Sequence, residues 1–171
     1  MSSIEDLSVL KKAPNIAIVG AVGVILAVAA FVTLTLDNSG SVTSPVPSTF
    51  AVNGKTYVFT YTATNNAQRN AGLMNKRVTN TTIMLFAFPS MGTYQFWMYD
   101  TNTSLDMIWI NATGSTGRVV YVYADAQPCL TPVPISCPTY GSSSPANYVI
   151  EAKAGFAEAN GIVVGTQLQF T

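Results

Sequence analysis

The sequence predicts a mainly β domain of the α+β type: a small antiparallel barrel or sandwich with two short helices, preceded by one N-terminal transmembrane helix. Three observations support this prediction. Short apolar or alternating runs recur between turn residues from residue 49 onwards. Two short segments carry helix-capping residues. One uncharged apolar run near the N-terminus has the length of a membrane span.

The N-terminal part divides into a polar segment (1–15), an apolar run (16–36) and a linker rich in Ser, Thr and Pro (37–48). A helix over 16–36 would span about 31 Å, the thickness of a bilayer core. Lys11 and Lys12 precede the run, so we expect a single-pass protein of the cell membrane, with its N-terminus cytoplasmic and its C-terminal domain extracellular. A cleaved secretory or pilin-type signal stays an alternative.

The domain over 49–171 begins with a hairpin signal, Asn53-Gly54 between two apolar runs. Strand alternation predicts a long second strand that has Tyr57, Phe59 and Tyr61 on one face. A helix is predicted next, over 67–74, with an N-cap at Asn65 or Asn66. Further strands are predicted over 82–88 (ended by Pro89), 93–98, 106–110, 118–124, 147–152 and 167–170, with connections at 111–117 and 127–146 and a helical turn over 155–160.

Composition excludes several classes of function. The net charge is zero and charged residues make up 9% of the chain, which argues against a nucleic-acid partner. The chain has no His, the commonest general base and a frequent zinc ligand. We therefore expect no cofactor and no metal site, and an enzyme is the less favoured interpretation.

Asp106 and Glu151 are the candidate catalytic carboxyl groups. Asp106 opens a strand whose alternate residues are apolar, so its side chain is expected to point inward and to need a partner, for which Arg69 and Arg118 are available. Glu151 interrupts a second apolar strand. Paired carboxylates are the minimum for glycoside chemistry, which predicts a hydrolase or lyase. The structural alternative makes Asp106 a cap of the turn over 100–104, and this alternative is favoured.

Sulfur and amide side chains suggest further sites. The methionines and Trp97 could hold Cu(I), although core packing explains them more simply. Cys129 and Cys137 are expected to form a disulfide outside the cell. Three triplets match the pattern of glycosylation acceptors, and they begin at Asn80, Asn102 and Asn111.

Several runs then follow in one order. They are Asn70-Ala71-Gly72-Leu73-Met74, Met84-Leu85-Phe86-Ala87-Phe88-Pro89, Phe96-Trp97-Met98 with Leu105-Asp106, Pro128-Cys129, and Tyr148-Val149-Ile150-Glu151 with Ala154-Gly155. In this order they resemble the uncharacterised domain-of-unknown-function family 192 (DUF 192), in a membrane-anchored, archaeal-type form. The resemblance implies a compact β-rich domain, often exported, and brings no established activity, cofactor or partner.

The central signature of that family departs from its pattern here. The basic residue that usually follows Phe-Trp-Met is Tyr99, the next Asn is Asp100, and the Pro before Leu-Asp is Ser104. If the family's basic residue binds an anion, this chain has lost that ability. Four candidate binding residues belong to this signature, Trp97, Met98, Tyr99 and Asp100, and Arg69 of the predicted helix is the fifth.

Taken together, these features predict a membrane-anchored binding or structural module of the cell envelope. Its expected partners are the membrane and an envelope protein or glycan. The aromatic side chains of Tyr57, Tyr94, Tyr99 and Trp109 could form one contact surface. The hydrolase or lyase is the first alternative, and copper binding is the second.

Overall fold

The computed structural model describes residues 45–171. The predicted cytoplasmic segment, the predicted anchor over 16–36 and most of the linker lie outside these residues. Within residues 45–171, no helix has the length and apolarity needed to cross a membrane.

Ten strands and two short helices make up the described domain. The strands are β1 (Thr49–Val52), β2 (Lys55–Val58), β3 (Tyr61–Ala63), β4 (Ile83–Gly92), β5 (Gln95–Trp97), β6 (Leu105–Thr113), β7 (Thr116–Ala126), β8 (Thr139–Gly141), β9 (Ala146–Lys153) and β10 (Gln167–Phe170). The helices are α1 (Asn66–Ala71) and α2 (Phe156–Ala159), and a 3-10 turn covers Pro134–Ser136. The mainly β prediction with two short helices is confirmed.

Eight strands form one curled, half-barrel sheet in the order β2-β1-β10-β7-β6-β9-β4-β3. Neighbouring strands are antiparallel, except that β3 runs parallel to β4. β5 and β8 form a separate antiparallel pair. The central strand β9 lies between β4 and β6, and this position buries it on both faces.

The two faces of the sheet carry separate buried clusters. One cluster includes Phe50, Leu85, Ile108 and Ile150, together with Ala157 of α2. The second cluster includes Leu73 beside α1 and five strand residues, Met84, Phe86, Met107, Trp109 and Val149. Residues of β4, β6 and β9 alternate between these clusters, as the two-residue period of a strand requires. Successive residues of β9 therefore serve different faces.

The first hairpin forms as predicted, but its second strand is interrupted. Asn53 and Gly54 have φ of 49° and 77°, which suits the tight turn between β1 and β2. β2 ends at Val58, and β3 then pairs with β4 instead of β1. The expected single face is wrong, because Phe59 is buried in the Phe50 cluster whereas Tyr61 is 37% exposed.

Other boundaries also differ from the predictions. Pro89 does not end β4, because the register with β9 is irregular between Ala87 and Gly92 and no ladder hydrogen bond is needed from a proline there. The connection over 111–117 is a tight turn at Gly114 and Ser115, so β6 and β7 are longer than expected. The loop over 127–146 contains β8, a strand that the sequence did not predict.

Candidate functional site

A cleft of about 530 Å³ opens between α1, β4 and the β5–β8 pair. Five aromatic side chains line it: Phe86, Phe88, Tyr94, Phe96 and Trp97. Its polar lining consists of Asn66, Arg69, Asn70, Gln95 and Thr139. We call this the aromatic cleft. A mainly apolar wall with a few fixed polar groups is typical of small-molecule sites.

The aromatic walls are held by ring contacts. The rings of Phe88 and Tyr94 stack with centroids 3.5 Å apart, and the Tyr94 hydroxyl donates to the carbonyl oxygen of Ser90 at 2.8 Å. Phe96 packs edge-on against both Phe86 and Trp109, with centroids 4.9 and 5.6 Å away. Trp97 lines the cleft and is 39% exposed, so part of its side chain is accessible to a ligand.

The guanidinium group of Arg69 is oriented within the cleft. Nη1 donates to the carbonyl oxygen of Ala87 at 2.7 Å, and Nη2 donates to Oδ1 of Asn66 at 2.8 Å. The group also lies 5.1 Å from the centroid of the Phe88 ring, within the range of a cation–π contact. Partial burial lowers the pKa of Arg69, and the nearby Tyr94 partly offsets that effect. An arginine of this kind keeps its charge at neutral pH.

The helix α1 positions three of the polar residues that line the cleft: Asn66, Arg69 and Asn70. Asn65 is its N-cap, since Oδ1 accepts from the backbone N–H of Gln68 at 3.0 Å. Residues three and four apart share a helix face, which brings Asn66, Arg69 and Asn70 to the cleft. The helix ends at Ala71 rather than Met74, because Gly72 has φ of 46°. The helical spacing of Asn66, Arg69 and Asn70 is a pattern in the sequence that predicts these three residues on one face of α1.

A small crevice of about 20 Å³ adjoins the cleft, and Glu151 is one of its lining residues. The crevice and the cleft share five lining residues: Arg69, Asn70, Phe86, Phe96 and Trp97. The crevice is further lined by residues 71–74 and Thr101. A volume of this size accommodates about one water-sized group.

Glu151 is a buried carboxyl group without a hydrogen-bond partner among residues 45–171. It is 3% exposed, and cross-strand pairing sets it between Met84 of β4 and Met107 of β6. Burial raises the pKa of Glu151 to about 8. The group is therefore mostly neutral at pH 7, and its polar atoms face the crevice.

Asp106 points to the opposite face. Met107 pairs with Glu151 across β6 and β9, and Asp106 is its neighbour along the strand. Oδ1 of Asp106 accepts from the backbone N–H of Asp125 at 3.0 Å, and Oδ2 accepts from the N–H of Ala157 at 2.8 Å. Asp106 thus ties β6 to the end of β7 and to the start of α2. It does not cap the turn over 100–104, and it does not meet Glu151.

The residues of the Phe-Trp-Met signature and of the turn after it differ in burial. Trp97 lines the cleft, whereas Met98 is fully buried beneath it. Tyr99 lies beside Trp97 with ring centroids 5.7 Å apart, and it pairs with Cys129 through a β-bridge. Asp100 has φ of 50° and fixes the turn through its backbone, where its N–H donates to Cys129 and its carbonyl accepts from Asn75. Of the five predicted binding residues, Trp97 and Arg69 line the cleft.

The four predicted contact aromatics do not form one surface. Trp109 is fully buried, and its Nε1–H donates to the carbonyl oxygen of Tyr94 at 3.1 Å. Tyr57 packs against Phe50, in the cluster on the other face. Tyr94 lines the cleft and Tyr99 lies beside it. Of the four predicted residues, Tyr94 and Tyr99 therefore lie at or beside the cleft, whereas Tyr57 and Trp109 do not contribute to a common surface with them.

The methionines are distributed between core and surface. Met84, Met98 and Met107 are buried in one cluster, Met74 lines the crevice, and Met91 is 42% exposed. Among residues 45–171, no three Cys, Asp or Glu side chains are gathered as a metal site would require. Met84 and Met107 make the surroundings of Glu151 apolar.

Cys129 and Cys137 form a disulfide in the structure. The Cys129 backbone N–H donates to the carbonyl oxygen of Met98 at 3.1 Å, so the closed loop is fastened to the signature turn. The three predicted glycosylation acceptors, Asn80, Asn102 and Asn111, are all exposed. Asn111 lies within β6 and not in a turn.

Comparisons with known proteins identify the family and the fold of the domain. The model of the family DUF192, described as "Uncharacterized ACR", matches residues 49–170. The chain belongs to the DUF192 family. The match begins and ends with the described domain, and it includes every residue of the aromatic cleft and of the crevice.

Two solved structures share the fold of this DUF192 domain. A protein of unknown function from Novosphingobium aromaticivorans has a TM-score of 0.59 and 25% identity, over 72% of this chain and 84% of that chain. A Sinorhizobium meliloti protein, described as a candidate transcription regulator, has a TM-score of 0.59 and 26% identity, over 74% of this chain and 98% of that chain. No curated protein matches the chain.

Proposed function

We propose that this DUF192 domain is a non-catalytic binding module of the cell envelope that takes a sugar unit of an envelope glycan into the aromatic cleft. The observation that carries the proposal is that the partly exposed Trp97 and the oriented guanidinium group of Arg69 line the same cleft of about 530 Å³. That volume suits one or two sugar rings.

The lining favours a carbohydrate over a flat protein contact. Aromatic faces offer rigid apolar area at low entropic cost, and sugar rings present C–H groups to such faces. The amide groups of Asn66, Asn70 and Gln95 both donate and accept hydrogen bonds, as hydroxyl groups do. A concave site with a few convergent polar groups is typical of small-ligand recognition.

A carboxylate-dependent hydrolase fits the geometry less well. Glycoside hydrolysis uses two carboxyl groups that flank one bond. Asp106 and Glu151 lie on opposite faces of the sheet, and both oxygens of Asp106 accept backbone hydrogen bonds. In the described part of the chain no carboxyl group lines the cleft, and Glu151 is the single one that lines the adjoining crevice.

Display outside the cell is the second part of the proposal. It is supported by the apolar run over 16–36, by the lysines that precede it and by a disulfide, which persists in oxidising compartments. Two experiments test this part: detection of the protein in the membrane fraction, and labelling of separate intact cells with an antibody against the domain. Signal confined to permeabilised cells would contradict the proposal.

A glycan array with the soluble domain (residues 45–171), followed by calorimetry on any sugar retained, tests the binding function. Both core clusters have members throughout these residues, and the Sinorhizobium chain of this fold is matched over 98% of its length, so we expect residues 45–171 to fold as a unit. Trp97→Ala should weaken binding about tenfold, because a stacked aromatic face is lost.

Met91→Ala is the matched control for this test, since Met91 is similarly exposed and does not line the cleft. We expect its affinity to equal that of the wild type. Equal binding by the Trp97→Ala variant, or no retained sugar on an array of envelope glycans, would reject the glycan assignment.

A further inference from the structure

Glu151 is a polar group that the packing of the sheet does not explain. It occupies a central strand between two methionines, yet no hydrogen bond from residues 45–171 satisfies its carboxyl group. A buried polar group without a partner is costly, and such groups concentrate at functional sites. Its side chain faces the crevice and not the sealed core. The crevice therefore gives a ligand a route to this carboxyl group.

The crevice limits what can reach Glu151. Its volume of about 20 Å³ accepts one water-sized group. Gly72, Phe86 and Phe96 narrow it, and a Cβ at Gly72 would already lie 3.6 Å from the Phe86 ring. A single hydroxyl, amino or methyl group fits this space, whereas a second ring does not.

The polarity and charge of the residues around Glu151 determine which of these three groups, hydroxyl, amino or methyl, binds best. β4 and β6 present Met84 and Met107 to Glu151, and the charged side chain of the crevice lining is Arg69 of α1. Along β9, Tyr148 packs with the cluster on the other face, and Lys153 is exposed and donates to Asn80 at 3.0 Å. Burial keeps the Glu151 carboxyl neutral at pH 7.

We propose that the ligand of the cleft inserts one uncharged hydroxyl group through the crevice to Glu151, so that the site selects neutral hydroxylated ligands over amines of the same shape. This inference rests on the aromatic cleft of the proposed function. A neutral carboxyl group both donates and accepts, as a hydroxyl group does, so the two satisfy each other without a buried charge. An ammonium group would have to be desolvated and would require ionised Glu151 in an apolar crevice.

A matched set of fragments tests the inference on the soluble domain. Benzyl alcohol, benzylammonium and toluene share a ring that fits the aromatic walls and differ in the group that reaches Glu151. Their affinities are measured at pH 6.5 from the NMR shifts of the Trp97 indole, assigned with the Trp97→Phe variant. We expect benzyl alcohol to bind at least tenfold more tightly than either of the other two.

The pH dependence of the wild-type domain is a second measurement that needs no variant. The affinity for benzyl alcohol should be constant from pH 5 to 7 and should fall about tenfold for each unit above pH 8, as Glu151 ionises. Glu151→Gln should keep the affinity and lose this fall. Glu151→Met should bind benzyl alcohol no better than toluene.

Two results would overturn the inference: tighter binding of benzylammonium than of benzyl alcohol, or an unchanged preference for the alcohol in Glu151→Met. These results are separable from those on the proposed function. A blank glycan array with the expected fragment pattern would reject the glycan and keep the hydroxyl-binding role of Glu151. Sugar binding that is unchanged in Glu151→Met would keep the glycan assignment and reject the hydroxyl-binding role of Glu151.

Discussion

Asp106 and Glu151 lie on adjacent strands, and their side chains emerge from opposite faces of the sheet. The pairing of Met107 with Glu151 fixes this relationship, because Asp106 is the next residue of β6. One carboxyl group accepts two backbone hydrogen bonds, and the other has none from the described residues. The two acidic residues that looked like a pair in the sequence therefore have different roles.

The first prediction concerns Asp106. Asp106→Asn should lower the free energy of unfolding by about 1–3 kcal/mol, because one of two buried backbone donors loses its acceptor. Urea denaturation measures this change. Asp125→Asn is the control, since Asp125 is exposed and Asn tolerates its φ of 56°. Unchanged stability of Asp106→Asn together with lost ligand binding would assign Asp106 to a site instead.

The second prediction is a pH dependence of stability. The pKa of Glu151 is about 8 in the folded state, against 4.5 for an ordinary glutamate, so the folded state binds the proton more tightly. Stability from this group is present below pH 4.5 and is lost as the pH rises towards 8. From pH 5 to pH 8 the loss is about 4 kcal/mol, at about 1.4 kcal/mol for each pH unit.

Thermal unfolding across this pH range measures the effect. Glu151→Gln should flatten the decline, since the amide does not titrate. Glu158→Gln is the matched control, because it removes an exposed carboxylate of α2 and should leave the decline unchanged. A wild-type domain of constant stability from pH 5 to pH 8 would contradict the buried, unpaired state of Glu151.

The third prediction concerns the disulfide. The double variant Cys129→Ser/Cys137→Ser should unfold with a free energy lower by about 2.5 kcal/mol, the chain-entropy value for a loop of this length. Urea denaturation provides the measurement, and added reductant should destabilise the wild type but not the double variant. If reductant leaves the wild type unchanged, the loop is held by its other contacts.

The fourth prediction tests the tight packing of the β6–β7 hairpin. A Cβ at Gly117 would lie 2.6 Å from Cγ2 of Ile110 and 2.7 Å from Cε2 of Phe170. Gly117→Ala should therefore cost about 1–3 kcal/mol of stability through overpacking. Ser115→Ala, at the exposed turn of the same hairpin, should change stability little. Equal stability of the two variants would mean that the curled sheet adjusts at β10.

Much of the fold could be predicted from the sequence because it depends on local patterns. Asn53-Gly54 specified its turn, Asn65 capped α1, and the apolar runs became β4, β6, β9 and β10. β3 was predicted only as the end of a long second strand and β8 was missed, because each has three residues and depends on a partner distant in the sequence. Pro89 misled the prediction, because an irregular register removes the need for its hydrogen bond.

The residues of the site could be predicted only in part, because the burial of each side chain depends on the register between strands. Arg69 and Trp97 were identified, and both line the cleft. Met98 was named beside them, although the next residue along a strand turns to the core. Phe88 and Thr139 were missed, since nothing local indicates that β4 and β8 meet at one cleft.

The most direct test of this account is a carboxyl NMR titration of Glu151 with and without benzyl alcohol. Glu151 and Glu158 are the two glutamates of residues 45–171, so Glu158→Gln leaves a single glutamate signal. We predict a midpoint near pH 8 in the free domain and a higher midpoint with the alcohol, because the ligand stabilises the neutral carboxyl group. A midpoint near pH 4.5, or one that does not respond to the alcohol, would contradict the central claim that the cleft leads a ligand to Glu151.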